Sequence, residues 1–184
     1  MPVQTPICDF GKKALPFELK STDNEIISLD AIKGENGTLI MFICNHCPYV
    51  KAVTKEIVED CNELKKIGIN SVAICSNDFI NYPDDSFDNM IKFSKDNQFS
   101  FPYLQDETQE IAKAYDAVCT PDFFGYDKNL GLQYRGRLRE LKNFVPVKDG
   151  KSDLLKAMKQ VVETGKGPQD QIPSAGCGIK WKYD

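Results

Sequence analysis

The sequence has little of what several large classes of protein require. Its longest apolar run, Leu39 to Cys44, is far too short to cross a bilayer. Lysine and arginine number 23 against 27 aspartates and glutamates, and the resulting net charge of −4 argues against nucleic acid or an anionic membrane as the main partner. There is no glycine-rich phosphate loop, so the sequence predicts no organic cofactor.

The cysteines and the first residues favour a reducing compartment. The seven cysteines are odd in number and scattered along the chain, whereas a secreted disulfide framework is typically even and denser. Residues 1–6 show neither the basic nor the apolar region of a secretory signal. We therefore expect a cytoplasmic protein.

Alternating strands and helices predict an α/β domain with a mixed central sheet. Continuous hydrophobicity indicates buried strands at 39–43 and 69–75, and apolar residues at three- and four-residue steps indicate one helix from Pro48 to Gly68. A strand–helix–strand unit of this kind places its two strands parallel. The other predicted elements are a hairpin over 17–29, helices over 87–98 and 108–115, a hairpin over 122–138 and a helix over 154–162.

The strongest functional signal is Cys44-Asn45-His46-Cys47, which follows the first buried strand and precedes Pro48. At a helix N-terminus, unpaired N–H groups and a partial positive charge favour a thiolate over a thiol. His46, the only histidine, lies inside the pair and can add to that stabilisation when it is protonated. These residues therefore predict a reactive pair of thiols.

The same cysteine spacing also occurs in zinc sites, which need four ligands. The chain has no second Cys-x-x-Cys and no second histidine, and His46 is awkwardly placed between the cysteines for binding the same ion. We therefore expect no metal. Cys61 and Cys75 fall in apolar segments and are expected to be small core residues.

Further motifs accompany the cysteine pair along the chain. They are Ser76-Asn77-Asp78, Phe101-Pro102-Tyr103-Leu104, the segment 106–110, Thr120-Pro121, Arg135-Gly136-Arg137 and the closing segment 176–181. With them the chain resembles, from about residue 15 to 181, the peroxiredoxin-like branch of the thioredoxin superfamily. Members of that branch are described as redoxin proteins of the alkyl hydroperoxide reductase/thiol-specific antioxidant group.

The resemblance implies a thioredoxin-like fold, with a mixed central sheet flanked by helices, an N-terminal hairpin and a C-terminal tail. It implies a redoxin domain over residues 12–164 and a tail over 165–184 that packs on it. It also implies a redox-active centre, an antioxidant role and a cis Thr120-Pro121 bond, although cis is the minority state of X–Pro bonds. Pro121 is then expected beside the cysteines, with the Thr120 backbone offering hydrogen bonds to a bound peptide or thiol.

Two assignments of the nucleophile remain open. Proline suits the first position of a helix because its missing N–H would be unpaired there. With Pro48 in that position, Cys47 is the N-cap thiol and Cys44 its partner; in the other register Cys44 attacks and Cys47 resolves. The sequence favours Cys47. As a further hypothesis, the tail folds back and Cys177 acts as a third thiol, the alternative being an inert tail residue.

Three functions follow as hypotheses. The first is a thiol–disulfide oxidoreductase that uses Cys44 and Cys47 on thiols or disulfides of proteins or small molecules. The second is a thiol-dependent peroxidase. The sequence argues against it, because it lacks the threonine that peroxiredoxins carry three residues before the reactive cysteine. Arg135 or Arg137 could replace their activating arginine, although a solvated strand edge is the simpler interpretation. The third is a redox-inactive binding module of the same fold.

Overall fold

The structure, a computed structural model, describes residues 1–148 and 150–183. The strands are β1 (Val3–Gln4), β2 (Glu18–Ser21), β3 (Ile26–Ser28), β4 (Gly37–Phe42), β5 (Ile69–Cys75), β6 (Tyr103–Gln105), β7 (Cys119–Thr120), β8 (Asp122–Asp127), β9 (Leu132–Tyr134), β10 (Leu141–Lys142), β11 (Val145–Pro146) and β12 (Ala175–Gly178). The helices are α1 (Leu29–Ile32), α2 (Pro48–Lys51), α3 (Thr54–Lys66), α4 (Phe87–Asp96), α5 (Glu110–Ala114) and α6 (Asp153–Thr164), with a 3-10 turn at Pro83–Asp85.

Seven strands form one mixed sheet in the order β3-β2-β6-β5-β4-β8-β9. The central strand β4 pairs in parallel with β5 on one side and antiparallel with β8 on the other. All six residues of β4 are buried, as continuous hydrophobicity predicts for a strand covered on both faces. The parallel pair, the hairpin of β2 with β3 and the hairpin of β8 with β9 confirm the predicted α/β architecture.

Helices cover both faces of this sheet. On one face, α3 and α6 bury apolar side chains such as Leu64 and Met158 against β4 and β5. On the other, α1 and α5 bury residues such as Leu29 and Ala112 against Phe42 and its neighbours. Among residues 1–148 and 150–183, no helix combines the length and the apolar character needed to span a membrane.

The predicted continuous helix from Pro48 to Gly68 is wrong, because the chain is interrupted between α2 and α3. Val53 has φ −120° and ψ 5°, outside the helical range. The Val53 N–H donates to the carbonyl of Val50 at 3.0 Å, a bond across three residues where an α-helix spans four, and the Thr54 hydroxyl donates to the same carbonyl at 2.8 Å. The apolar residues keep their three- and four-residue spacing across the interruption, so this spacing alone could not reveal the break between the two helices.

The strand predicted as far as Leu138 is also too long, because β9 ends at Tyr134. The next backbone N–H, that of Arg135, donates to the side chain of Gln171 at 2.8 Å instead of to a neighbouring strand. Gln171, 36 positions further along the chain, therefore ends the strand pairing of β9.

A second, three-stranded sheet in the order β1-β12-β7 lies beside the end of the domain that carries the cysteine pair. In it, β12 runs antiparallel to both neighbours. The segment after α6 thus supplies the middle strand of a sheet whose outer strands come from the N-terminus and from the residues before Pro121.

Candidate active site

The cysteine pair lies between the end of β4 and the start of α2. Cys47 is the N-cap residue of α2 and Pro48 occupies the first helical position, which is the register that places the Cys47 thiol at the helix N-terminus. Cys44 precedes it in the connection from β4. Both cysteines belong to the buried cluster on the α3 side of the sheet.

The residues around the second proline motif hold both sulfur atoms. The Thr120-Pro121 bond is cis, as expected. Cys44 Sγ lies 3.4 Å from the hydroxyl oxygen of Thr120, and Cys47 Sγ lies 3.2 Å from the Thr120 carbonyl oxygen. The structure therefore brings together Cys44, Cys47, Thr120 and Pro121, four of the residues named from the sequence.

The two thiols differ in acidity. The hydrogen bond between the Cys44 and Cys47 side chains is the largest influence on both: it lowers the pKa of Cys47 to about 5 and raises the pKa of Cys44 well above 9.0. Burial opposes the Cys47 thiolate, but hydrogen bonds from the Cys177 thiol and from the backbone N–H groups of Val50 and Cys177 support it. Burial and the negative charge of Asp85 raise the Cys44 pKa further. Of the pair, Cys47 thus has the lower pKa and Cys44 the higher one.

A third cysteine completes the cluster. Cys177 pairs with Thr120 in the ladder between β12 and β7, and its side chain packs against the cluster that contains Cys44 and Cys47. Burial first, and then the nearby Cys47 side chain, raise the pKa of Cys177 to about 11. Of the three thiols only Cys177 is partly exposed, because Cys44 and Cys47 expose 1% and 0% of their surface.

The strand β12 pairs with the backbone at Thr120, which the resemblance predicts to offer hydrogen bonds to a bound peptide or thiol. The register places Cys177 opposite Thr120 and Gly178 opposite Cys119. Gly176 lies so close to the Thr120 carbonyl that a side chain at this position would overlap it. Glycine is depleted in strands, and the sequence of β12 is half glycine, so its composition does not mark it as a strand.

Asp85 is a buried carboxylate behind the pair that no local sequence pattern marks. It accepts hydrogen bonds from the Asn45 backbone N–H and the Asn77 amide, each at 2.8 Å. His46 Nδ1 lies 2.7 Å from Asp85 Oδ2, so the histidine charge, when present, faces this carboxylate. The Tyr103 hydroxyl extends the network by donating to the Asn45 side chain at 2.8 Å. A role for His46 beside the thiolate stays a prediction.

The same residues form a cluster of possible metal ligands. Cys44 Sγ, His46 Nδ1 and an Asp85 carboxylate oxygen lie within 4.8 Å of one another. The 2.7 Å between the histidine and the carboxylate is shorter than the separation of about 3.3 Å between two ligands in a tetrahedral zinc site. As placed, these two groups pair with each other.

The interpretation of the arginines as a solvated strand edge is wrong for Arg135. Its buried guanidinium contacts both carboxylate oxygens of Asp122, at 2.9 and 3.3 Å, and donates to the Asp116 carbonyl. Arg137 is partly buried and contacts Asp153 at 2.6 Å. Both guanidinium groups are therefore engaged by carboxylates.

Sequence comparison identifies the family to which these features point. The sequence profile described as the AhpC/TSA family matches residues 10–140. No curated protein matches the chain.

Two solved structures share the architecture along the whole chain, and a third shares it along most of the chain. An uncharacterized conserved protein from Geobacillus kaustophilus is 43% identical, with a TM-score of 0.92 over 100% of this chain and 98% of that one. A hypothetical protein from Sinorhizobium meliloti 1021 is 31% identical, with a TM-score of 0.91 over 100% of both chains. The thioredoxin domain of a thiol-disulfide oxidoreductase from Bacteroides vulgatus is 16% identical, with a TM-score of 0.63 over 83% and 97%, and shows that the fold is thioredoxin-like.

Proposed function

Because the chain belongs to the AhpC/TSA family, we propose that it is a thiol–disulfide oxidoreductase in which Cys47 is the nucleophile and Cys44 the resolving thiol. The observation that carries this proposal is the opposite shift of two adjacent thiols, with the pKa of Cys47 lowered and that of Cys44 raised. At neutral pH one is a thiolate and the other keeps its proton. Neighbouring groups whose pKa values are pushed apart can take separate roles in a reaction.

The proposed reaction consists of two exchange steps. The Cys47 thiolate attacks one sulfur of a disulfide R–S–S–R, which forms Cys47–S–S–R and releases RS⁻. Cys44 then attacks the Cys47 sulfur, its proton passes to a departing thiolate, and the second RS⁻ leaves. The protein loses two electrons in forming the Cys44–Cys47 disulfide, and the substrate gains them as two thiols. A dithiol reductant returns the protein to its starting state.

The proposed partners are disulfides and thiols of proteins or small molecules. The seven cysteines are all free thiols, which a reducing compartment such as the cytoplasm preserves. The proposed location therefore suits a protein that starts each cycle reduced.

A thiol-dependent peroxidase is the second candidate, because a thiolate of low pKa also attacks peroxides. Cys44, however, stands three residues before Cys47, where peroxiredoxins carry a threonine. Arg135, a possible activating arginine, is held by Asp122. A redox-inactive binding module is less favoured, since β12 covers the backbone edge at Thr120 that would bind a peptide.

The test is to equilibrate the protein over graded ratios of reduced and oxidised glutathione, trap free thiols and map disulfides by mass spectrometry. We expect a reversible Cys44–Cys47 disulfide. Its midpoint should lie above that of thioredoxin, about −270 mV, because stabilising a thiolate stabilises the reduced form. A Cys61→Ala variant is the control and should behave like the wild type.

Two results would contradict the proposal. One is the absence of a Cys44–Cys47 disulfide at every glutathione ratio. The other is a sulfenic acid on Cys47 after brief exposure to peroxide without any exchange with glutathione, which would identify the peroxidase instead.

A further inference from the structure

Cys47, the proposed nucleophile, has no contact with solvent. Its exposure is 0% and that of Cys44 is 1%, whereas Cys177, on the strand that covers them, is partly exposed. The Cys177 side chain also packs against the buried cluster that contains Cys44 and Cys47. A disulfide that approaches from solvent therefore meets Cys177 before it meets the pair.

The strand β12 that carries Cys177 is held on the site along its length. Before the strand, the Ser174 hydroxyl donates to the Pro121 carbonyl at 2.8 Å. After it, the backbone N–H of Lys180 donates to the Asn77 side chain at 3.0 Å. Gly176 lies directly against the Thr120 carbonyl. These contacts fix Cys177 beside Cys47 and make β12 an integral strand, not a loose cover.

The pairing also places the backbone of Cys177 opposite Thr120, the residue that both Cys44 and Cys47 contact. The Thr120 backbone edge, expected from the resemblance to receive a bound peptide or thiol, receives Cys177 of the same chain. The protein thus presents one of its own cysteines to its nucleophile.

On the basis of the function proposed above, we propose that Cys177 is a shuttle thiol that carries a disulfide between solvent and the buried pair Cys44 and Cys47. In the first step Cys177 gives its proton to solvent and attacks R–S–S–R as a thiolate, which forms Cys177–S–S–R and releases RS⁻, and RS⁻ then takes up a proton. In the second step the Cys47 thiolate attacks the Cys177 sulfur, which forms Cys47–S–S–Cys177 and releases RS⁻.

In the third step Cys44 attacks the Cys47 sulfur, and Cys177 leaves with the proton of Cys44. The sum is the same two-electron oxidation of Cys44 and Cys47 by R–S–S–R, with Cys177 returned as a thiol. The only oxidant is the external disulfide, and the reverse sequence passes electrons from an external dithiol to the pair.

The experiment follows the oxidation of reduced protein by oxidised glutathione, with acid quenching at set times and mass-spectrometric mapping. In Cys47→Ser, where the second step is blocked, we expect a glutathione adduct to accumulate on Cys177. In Cys44→Ser, where the third step is blocked, we expect a Cys47–Cys177 disulfide. In Cys177→Ser, the Cys44–Cys47 disulfide should still form, but about tenfold or more slowly, because exchange between neighbouring thiols is lost.

Cys8 provides the matched control, because it too is partly exposed and burial also raises its pKa to about 11. Cys8→Ser should oxidise at the wild-type rate. Oxidation of Cys177→Ser at or above the wild-type rate would overturn the shuttle, as would a first adduct on Cys44 or Cys47. If neither the wild type nor Cys177→Ser forms a Cys44–Cys47 disulfide at equilibrium, the proposed function itself fails, which is a different result.

Discussion

Cys47 and the core cysteines Cys61 and Cys75 are buried almost equally but have opposite acidities. Cys47 exposes 0% of its surface, Cys61 4% and Cys75 3%. Burial raises the pKa of Cys61 and Cys75 to about 12, whereas the pKa of Cys47 falls to about 5. Burial therefore does not decide which cysteine is reactive in this protein.

The difference lies in the hydrogen-bond donors that face each sulfur. Donors from Cys44, Cys177 and two backbone N–H groups lower the pKa of Cys47, whereas only Ser71 lowers the pKa of Cys61. A hydrogen bond to a charged group contributes about 1.5–3 kcal/mol, and one pKa unit corresponds to about 1.4 kcal/mol. Several such donors can outweigh the desolvation of one thiolate.

The largest expected difference is between removing the Cys47 sulfur and removing the Cys61 sulfur. Cys47→Ala should abolish disulfide exchange with glutathione, because no thiolate remains in the cluster. Cys61→Ala should keep exchange within about twofold of the wild type and reduce the free energy of unfolding by about 1 kcal/mol through the cavity that it leaves. Exchange assays and urea unfolding measure the two effects. Full exchange activity in Cys47→Ala would show that Cys47 is no more reactive than the core cysteine Cys61.

A smaller change tests whether donors cause the low pKa of Cys47. Cys44→Ala removes the donor with the largest effect on Cys47, so the Cys47 pKa should rise by about 1–2 units. Cys44→Ser retains a hydroxyl donor and should raise it less. Thiolate absorbance in the ultraviolet, with the Cys47→Ala spectrum subtracted, gives both values. An unchanged pKa in Cys44→Ala would show that the Cys44 thiol does not stabilise the thiolate.

The elements of this site that local patterns encode could be predicted, and those that depend on distant parts of the chain could not. The position of Cys47 before Pro48 follows from the apolar strand and the first helical turn, which are neighbours in sequence. The cis bond before Pro121 followed from a family resemblance. Asp85 and β12 reach the site through tertiary packing, from 40 residues beyond Asn45 and from the end of the chain. Neither Asp85 nor β12 lies in a segment whose periodicity or composition predicts that it reaches the site.

The pH dependence of stability sharpens the same contrast. Cys47 loses its proton at a pKa of about 5 in the folded protein, compared with 9.0 for an ordinary cysteine. Between these values the unfolded chain binds the extra proton, so the contribution of Cys47 to stability is full above about pH 9 and is lost as the pH falls through about 5.

Urea unfolding of reduced wild type and Cys47→Ala should therefore show a difference in free energy that grows from about pH 5.5 to about pH 8. The matched difference for Cys75→Ala should stay flat over that range, because a thiol whose pKa is raised to about 12 keeps its proton in both states. Parallel pH curves for the wild type and Cys47→Ala would contradict a thiolate in the folded protein.

The smallest expected effect belongs to His46, which the sequence suggested as a cation beside the thiolate. Its Nδ1 lies 2.7 Å from the buried Asp85 carboxylate, and its side chain is 26% exposed, so its charge is balanced and partly screened. His46→Asn should shift the Cys47 pKa by only about 0.3 units, near the limit of the absorbance titration. Asp85→Asn, which removes a charge that raises the Cys44 pKa, should lower that pKa instead. If His46→Asn raised the Cys47 pKa as much as Cys44→Ala, the imidazolium and not the thiol donors would distinguish Cys47 from the core cysteines.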